Sequence, residues 1–133
     1  YEYGAFTFRN RVKLRSFIES IFKKEKKKLS SLTYIFCTDK KLLGINQQFL
    51  KHDFYTDIIT FDLSSSDITE GEIYISIDRV KDNAKNLGVS FKSELHRVIF
   101  HGVLHLCGYK DKSKEQKVEM RGKEEFYIKH YLK

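Results

Sequence analysis

The stretch SFKSELHRVIFHGVLHLCG, residues 90–108, decides how the rest of the chain is read. Leu95, Val98, Ile99, Gly102, Val103 and Leu106 recur at three- and four-residue intervals, the period of a helix with one buried face. Ser90 is an N-cap type of residue, and Gly108 suits the turn that ends a helix. A helix this apolar belongs near the centre of a core. His101 and His105 then stand one above the other on its flank, because four residues make about one turn.

Outward from that helix, helical and strand-like segments alternate. TFRNRVKLRSFIESIFKKEKKK (7–28) has mostly helical spacing, LTYIFC (32–37) reads as a strand, and DKKLLGINQQFLK (39–51) as a helix opening with Asp39 as its cap. DIITFDL (57–63) and EIYISI (72–77) read as strands around a turn-like SSSDITEG. DRVKDNAKNLG (78–88) reads as a helix capped by Asp78 and closed by Gly88, and the tail from about Ser113 as a charged helix. AFTF (5–8) adds a candidate edge strand. The expected fold is α+β: one domain over residues 1–133, a small mixed sheet covered by several helices, with a site on the central helix and the loop after it.

The chain has 133 residues and a formal charge of +7, which favours polyanionic partners such as nucleic acid. Part of that charge is the lysine run at residues 23–28, which also suits a solvated helix end. No apolar run is long enough to span a bilayer, and the N-terminus does not read as a signal peptide, so a cytoplasmic protein is expected. Two cysteines, Cys37 and Cys107, are too few for a disulfide framework and fit core positions.

HGVLHLCGYKD, residues 101–111, has the spacing of a metal site. Two imidazoles four apart on a helix can reach one ion at about 2.0–2.1 Å, and Gly108 lets the chain turn back so that Asp111 approaches from another side. Packed, hydrogen-bonded histidines would share the spacing, and Asp111 could instead cap the following helix near Lys112 and Ser113. A zinc protease needs a glutamate after the first histidine as general base; Gly102 occupies that place and cannot take a proton. Glu94 lies on the histidine stripe but about two turns away, and Asp57 is a second carboxylate that could face a cleft. Neither is identified as a general base; water on the ion is one candidate nucleophile, and for an RNA substrate its own 2′-hydroxyl is the other.

The same stretch resembles the signature of the YbeY family, bacterial single-domain metalloproteins, which runs approximately H-G-x-L-H-L-x-G-Y-D-H. His101, Gly102, Leu104, His105, Leu106, Gly108 and Tyr109 match in place. Further blocks are similar: Asn46, Phe49, Asp53, Thr56, Asp57 and Phe61 within residues 46–61, and GEIYISID at 71–78. The resemblance implies one divalent ion, zinc by expectation, held by His101, His105 and the residue at the third histidine position, Asp111. It implies a single-strand-specific endoribonuclease acting in ribosomal RNA maturation and ribosome quality control, with ribosomal RNA and ribosomal or ribosome-associated proteins as partners. Rival expectations are a non-catalytic assembly factor with a structural metal, or a metal-dependent hydrolase of another substrate. The chain departs from the family pattern at Lys110, Asp111 and Leu50, the last at a position where an arginine is common. Lys51, His52, Arg79, Lys85 and Lys110 are the candidate RNA contacts. Asp is a competent zinc ligand, and a carboxylate in place of an imidazole lowers the charge of the site and weakens the ion as a Lewis acid.

Overall fold

The central helix packs across a three-stranded sheet. The computed structural model describes residues 11–52 and 55–132, in which eight elements follow one another. They are α1 (Arg11–Lys24), β1 (Lys28–Cys37), α2 (Asp39–Leu50), β2 (Ile58–Asp62), β3 (Ile68–Ser76), α3 (Ile77–Leu87), α4 (Phe91–Leu106) and α5 (Lys114–Tyr131). The strand order is β1-β3-β2, with β3 parallel to β1 and antiparallel to β2. The fold is therefore α+β with a mixed sheet, as the sequence implies. The expected edge strand at 5–8 and the first turn of the first helix lie outside the described residues.

Alternation along the strands divides the sheet into two faces. Ile73 and Ile75 of β3, Ile58 of β2 and Phe36 of β1 join the main core, with α4 and α1. Tyr74, Ile59, Phe61 and Cys37 face the other way, onto Leu42 and Ile45 of α2. Each fully buried aliphatic side chain here contributes about 1.5–3 kcal/mol. Ile73, Ile75, Ile99 and Leu104 are all wholly inaccessible, so the sheet–α4 contact is the fold's principal apolar seam.

Two glycines set how closely that seam closes. A Cβ on Gly102 would stand 2.7 Å from Ile73 Cδ1 and 3.1 Å from Ile58 Cδ1. A Cβ on Gly71 would stand 2.7 Å from Leu106 Cδ1. Gly102 thus has a packing reason for being between the two histidines.

Element ends differ from the sequence expectation in a consistent way. β1 and β3 begin four residues earlier than expected, because Lys28–Ser31 pairs with Ile68–Glu70, through a register shift between Leu29 and Ser31, despite their polarity. Thr38 and Ser76, rather than Asp39 and Asp78, cap α2 and α3 with their side-chain oxygens. The aspartates tie the two helix starts together instead: Asp78 Oδ2 accepts from Asp39 N at 2.9 Å, and Asp39 Oδ1 accepts from Ser76 Oγ at 2.8 Å. Ser90 and Gly88 occupy the cap positions expected of them.

Candidate functional site

α4 is anchored at its start by Ser90, whose Oγ accepts from Ser93 N at 3.0 Å. It ends in a left-handed turn at Gly108, φ 104°. Gly108 N donates to His105 O and Tyr109 N to Leu104 O, each at 3.0 Å, the paired reverse bonds of a Schellman turn. That reversal brings residues 109–111 back beside the last turn of the helix.

The returning loop is held from behind. Tyr109 donates its hydroxyl to Glu25 Oε1 at 2.8 Å, while Tyr127 and Lys123 donate to Glu25 Oε2 at 2.5 and 3.4 Å. Burial opposes ionisation of Glu25, but the hydrogen bonds from Tyr127 and Tyr109 and the Lys123 charge hold its carboxyl below the usual value. One carboxylate beyond the end of α1 thereby ties the loop to α5.

Asp111 Oδ2 comes to 3.1 Å from His101 Nε2 and 3.4 Å from His105 Nε2. One ligand-type atom from each of the three residues lies within 4.8 Å of the others. The histidine rings meet edge to face, with centroids 4.6 Å apart. Asp111 does not cap α5, because Ser113 does so with a complete capping box: Gln116 N donates to Ser113 Oγ and Ser113 N to Gln116 Oε1.

The three residues line one cleft of about 410 Å³, whose walls include Asn46, Leu50, His52, Asp57, Ile58–Thr60 and Asp62. His101 is 15% exposed, His105 30% and Asp111 37%, so the group opens outward. His101 Nδ1 faces the opposite way, 2.5 Å from the buried Glu124 Oε2. An ionised carboxylate only accepts, so this contact favours the ring proton on Nδ1, the form in which Nε2 presents a lone pair to the cleft. Two imidazole nitrogens and a carboxylate oxygen thus converge, a donor set that fits a cation of the zinc type.

The charge behind the histidines has the same sign preference. Arg97 makes a two-pronged pair with Glu94, at 2.8 and 2.6 Å, and also approaches Glu124 at 3.3 Å and Asp57 at 3.5 Å. One guanidinium thus serves three carboxylates. Burial resists the charge on Glu124, but the His101 hydrogen bond and Arg97 outweigh it, so its carboxyl lies below the usual value. Burial wins at Asp57, whose carboxyl is raised although Arg97 and His101 oppose the rise. Burial also pushes the Cys107 thiol up to about 12, consistent with a core position and not with a thiolate ligand.

A family model described as Endoribonuclease YbeY matches residues 5–132. The chain belongs to the YbeY family. Endoribonuclease YbeY of Cytophaga hutchinsonii is 53% identical over 121 residues, 90% of this chain and 85% of that protein. Endoribonuclease YbeY of Flavobacterium psychrophilum is 48% identical over 124 residues, 93% of this chain and 89% of that one. The solution structure of TM1509 from Thermotoga maritima has a TM-score of 0.66 and 31% identity, covering 94% of this chain and 85% of that one.

In this YbeY-family chain the other sequence candidates are dispersed. Lys51 ends α2 in a left-handed conformation, and His52 lines the cleft beside it. Lys110 is exposed next to Asp111, and Lys85 is exposed on the last turn of α3. Arg79 is engaged with Asp39 at 2.7 Å and Asp82 at 3.3 Å, with its guanidinium over the Tyr55 ring. Leu50 borders the cleft and makes that stretch of its wall apolar. Arg97 and Glu124 escaped the sequence reading. Glu124 had a visible signal: Met120, Tyr127 and Tyr131 share its helical stripe, so the carboxylate stands at a core position of α5.

Proposed function

We propose that this chain is a divalent-metal-dependent endoribonuclease that cuts single-stranded segments of ribosomal RNA during maturation and quality control of the ribosome. The observation that carries the reading is the meeting of His101 Nε2, His105 Nε2 and Asp111 Oδ2 in an open cleft, in a chain of the YbeY endoribonuclease family. These three residues would hold the ion, and two imidazoles with one carboxylate form a set that catalytic zinc accepts. When bound, the ion supplies a Lewis acid that stabilises charge developing on a phosphodiester.

The chain's own residues do the remaining work. Asp111 and His105 stay partly exposed, which leaves room for a phosphate beside them. Lys51, next to the cleft-lining His52, and Lys110, next to Asp111, offer charge to the RNA backbone. Arg79 would have to leave Asp39 to do the same, so its contribution is smaller. A cleft with few dedicated RNA contacts suits action with ribosomal or ribosome-associated proteins that present the substrate. Such partners place the work in the cytoplasm, and no helix among the described residues is long and apolar enough to cross a membrane.

The test is cleavage of a single-stranded and a duplex RNA of the same sequence by zinc-loaded protein, with chelator and with His105→Ala as controls. Cutting of the single strand alone, lost in both controls and weakening steeply as salt rises, is the expected result. Undiminished cutting in chelator would overturn the metal-dependent reading. Intact RNA under all conditions, with zinc bound, would favour an assembly factor with a structural ion.

A further inference from the structure

His101 has two faces with different surroundings. Nε2 meets Asp111 in the cleft, whereas Nδ1 meets Glu124, which is only 2% exposed. Glu124 stands on the buried stripe of α5, and its second oxygen lies 3.3 Å from Arg97 Nη1. Holding α5 against α4 does not require this arrangement. A buried charge is costly to desolvate, and an apolar side chain of similar volume commonly packs as well or better. Arg97 already has Glu94 as a two-pronged partner, so it does not require Glu124 either. What the Glu124 carboxylate alone provides is an acceptor for the ring nitrogen of His101.

We propose that Glu124 is a positioning residue that holds His101 as its Nδ1–H form and so aims Nε2 at a divalent cation shared with His105 and Asp111. The proposal rests on the metal reading above, and it adds a residue 23 positions away in sequence to the group that builds the site. A carboxylate behind a ligating imidazole fixes ring orientation and raises ligand basicity, and losing one typically weakens metal binding about 10–100-fold. His105 serves as the internal reference, because its ring meets His101 and Asp111.

Two readouts test it. The first is the ring-nitrogen NMR spectrum of the metal-free parent, recorded well above the histidine titration range. His101 is expected as the Nδ1–H tautomer; an Nε2–H form overturns the proposal without any variant being made. The second is zinc affinity by competition with a chromophoric chelator, for the parent, Glu124→Met and Glu124→Gln. Methionine fills the space without accepting a hydrogen bond, and glutamine can still accept one. Folded Glu124→Met is expected to lose the His101 tautomer bias, to leave His105 unchanged and to bind zinc about 10–100-fold more weakly. Glu124→Gln is expected to recover the tautomer and most of the affinity. Parent-like zinc binding by folded Glu124→Met overturns the proposal. A parent that takes up no zinc overturns the metal reading and the aim at a cation with it, which the tautomer spectrum keeps distinct from a failure of the Glu124 contact.

Discussion

Asp111 Oδ2 lies between His101 Nε2 and His105 Nε2, 3.1 Å from one and 3.4 Å from the other. A single carboxylate oxygen thereby closes the group that two histidines on one helix begin. Asp111→Ala is expected to raise the zinc dissociation constant about 100-fold or more, since a direct ligand is worth at least as much as its outer-shell support. Equilibrium dialysis with elemental analysis of parent and variant measures this. Equal zinc content in both would remove Asp111 from the ligand set.

Ser113 and Asp111 are two residues apart with separable duties. Ser113→Ala removes the cap of α5 and is expected to cost about 1 kcal/mol in urea unfolding of the metal-free protein. Its zinc affinity should stay within about twofold of the parent, because the Tyr109–Glu25 tie still holds the loop. Asp111→Ala should show the opposite pattern, with stability retained and zinc lost. A large stability loss in metal-free Asp111→Ala would reassign that side chain to folding.

Two helical glycines should respond oppositely to substitution. A Cβ on Gly102 would crowd Ile73 Cδ1 at 2.7 Å and Ile58 Cδ1 at 3.1 Å, so Gly102→Val is expected to destabilise by about 1–3 kcal/mol through overpacking. Gly122 on α5 is exposed and has open space where a Cβ would go. Gly122→Ala is expected to stabilise by about 0.5–1 kcal/mol through helix propensity alone. Thermal or urea unfolding of the two variants decides the matter; a neutral Gly102→Val would mean that α4 can lift from the sheet.

Stability should fall in acid partly through Glu25. Its folded-state pKa lies below the ordinary 4.5, so its contacts contribute fully above about that pH and are lost as pH drops through the lowered folded value. Glu25→Gln is expected to cost about 1–3 kcal/mol near neutral pH, the scale of hydrogen bonds to a charged acceptor. The gap between parent and variant should then close as the solution is acidified through that lowered folded value. Urea midpoints across that range measure it; a gap that widens in acid would mean that Glu25 is not the ionised partner of Tyr109 and Tyr127.

The sequence was most informative where structure is local. The turn of α4 puts His101 and His105 together within four residues, and Gly108 reverses the chain within three more, so the core of the candidate site could be read from spacing alone. Polar strand ends could not be read this way, because Lys28 and Ile68 become β-structure only by pairing with each other across 40 residues. The caps were misjudged because Thr38 and Ser76 compete with the neighbouring aspartates for one geometric role, and the aspartates found partners across the helix pair. Glu124 carries a charge in a stripe that is otherwise apolar. That anomaly is visible in the sequence, but its partner is set by how α5 docks on α4.

The order of the elements along the chain has a consequence for synthesis. During translation, α4 with both histidines emerges before α5, and until α5 docks, Arg97 and His101 lack the carboxylate they share. A chain short of residue 124 lacks the carboxylate that meets His101 Nδ1. The site is complete only once residue 124 has been added, and a message truncated before that codon would yield a chain with both histidines but without the side chain that orients one of them.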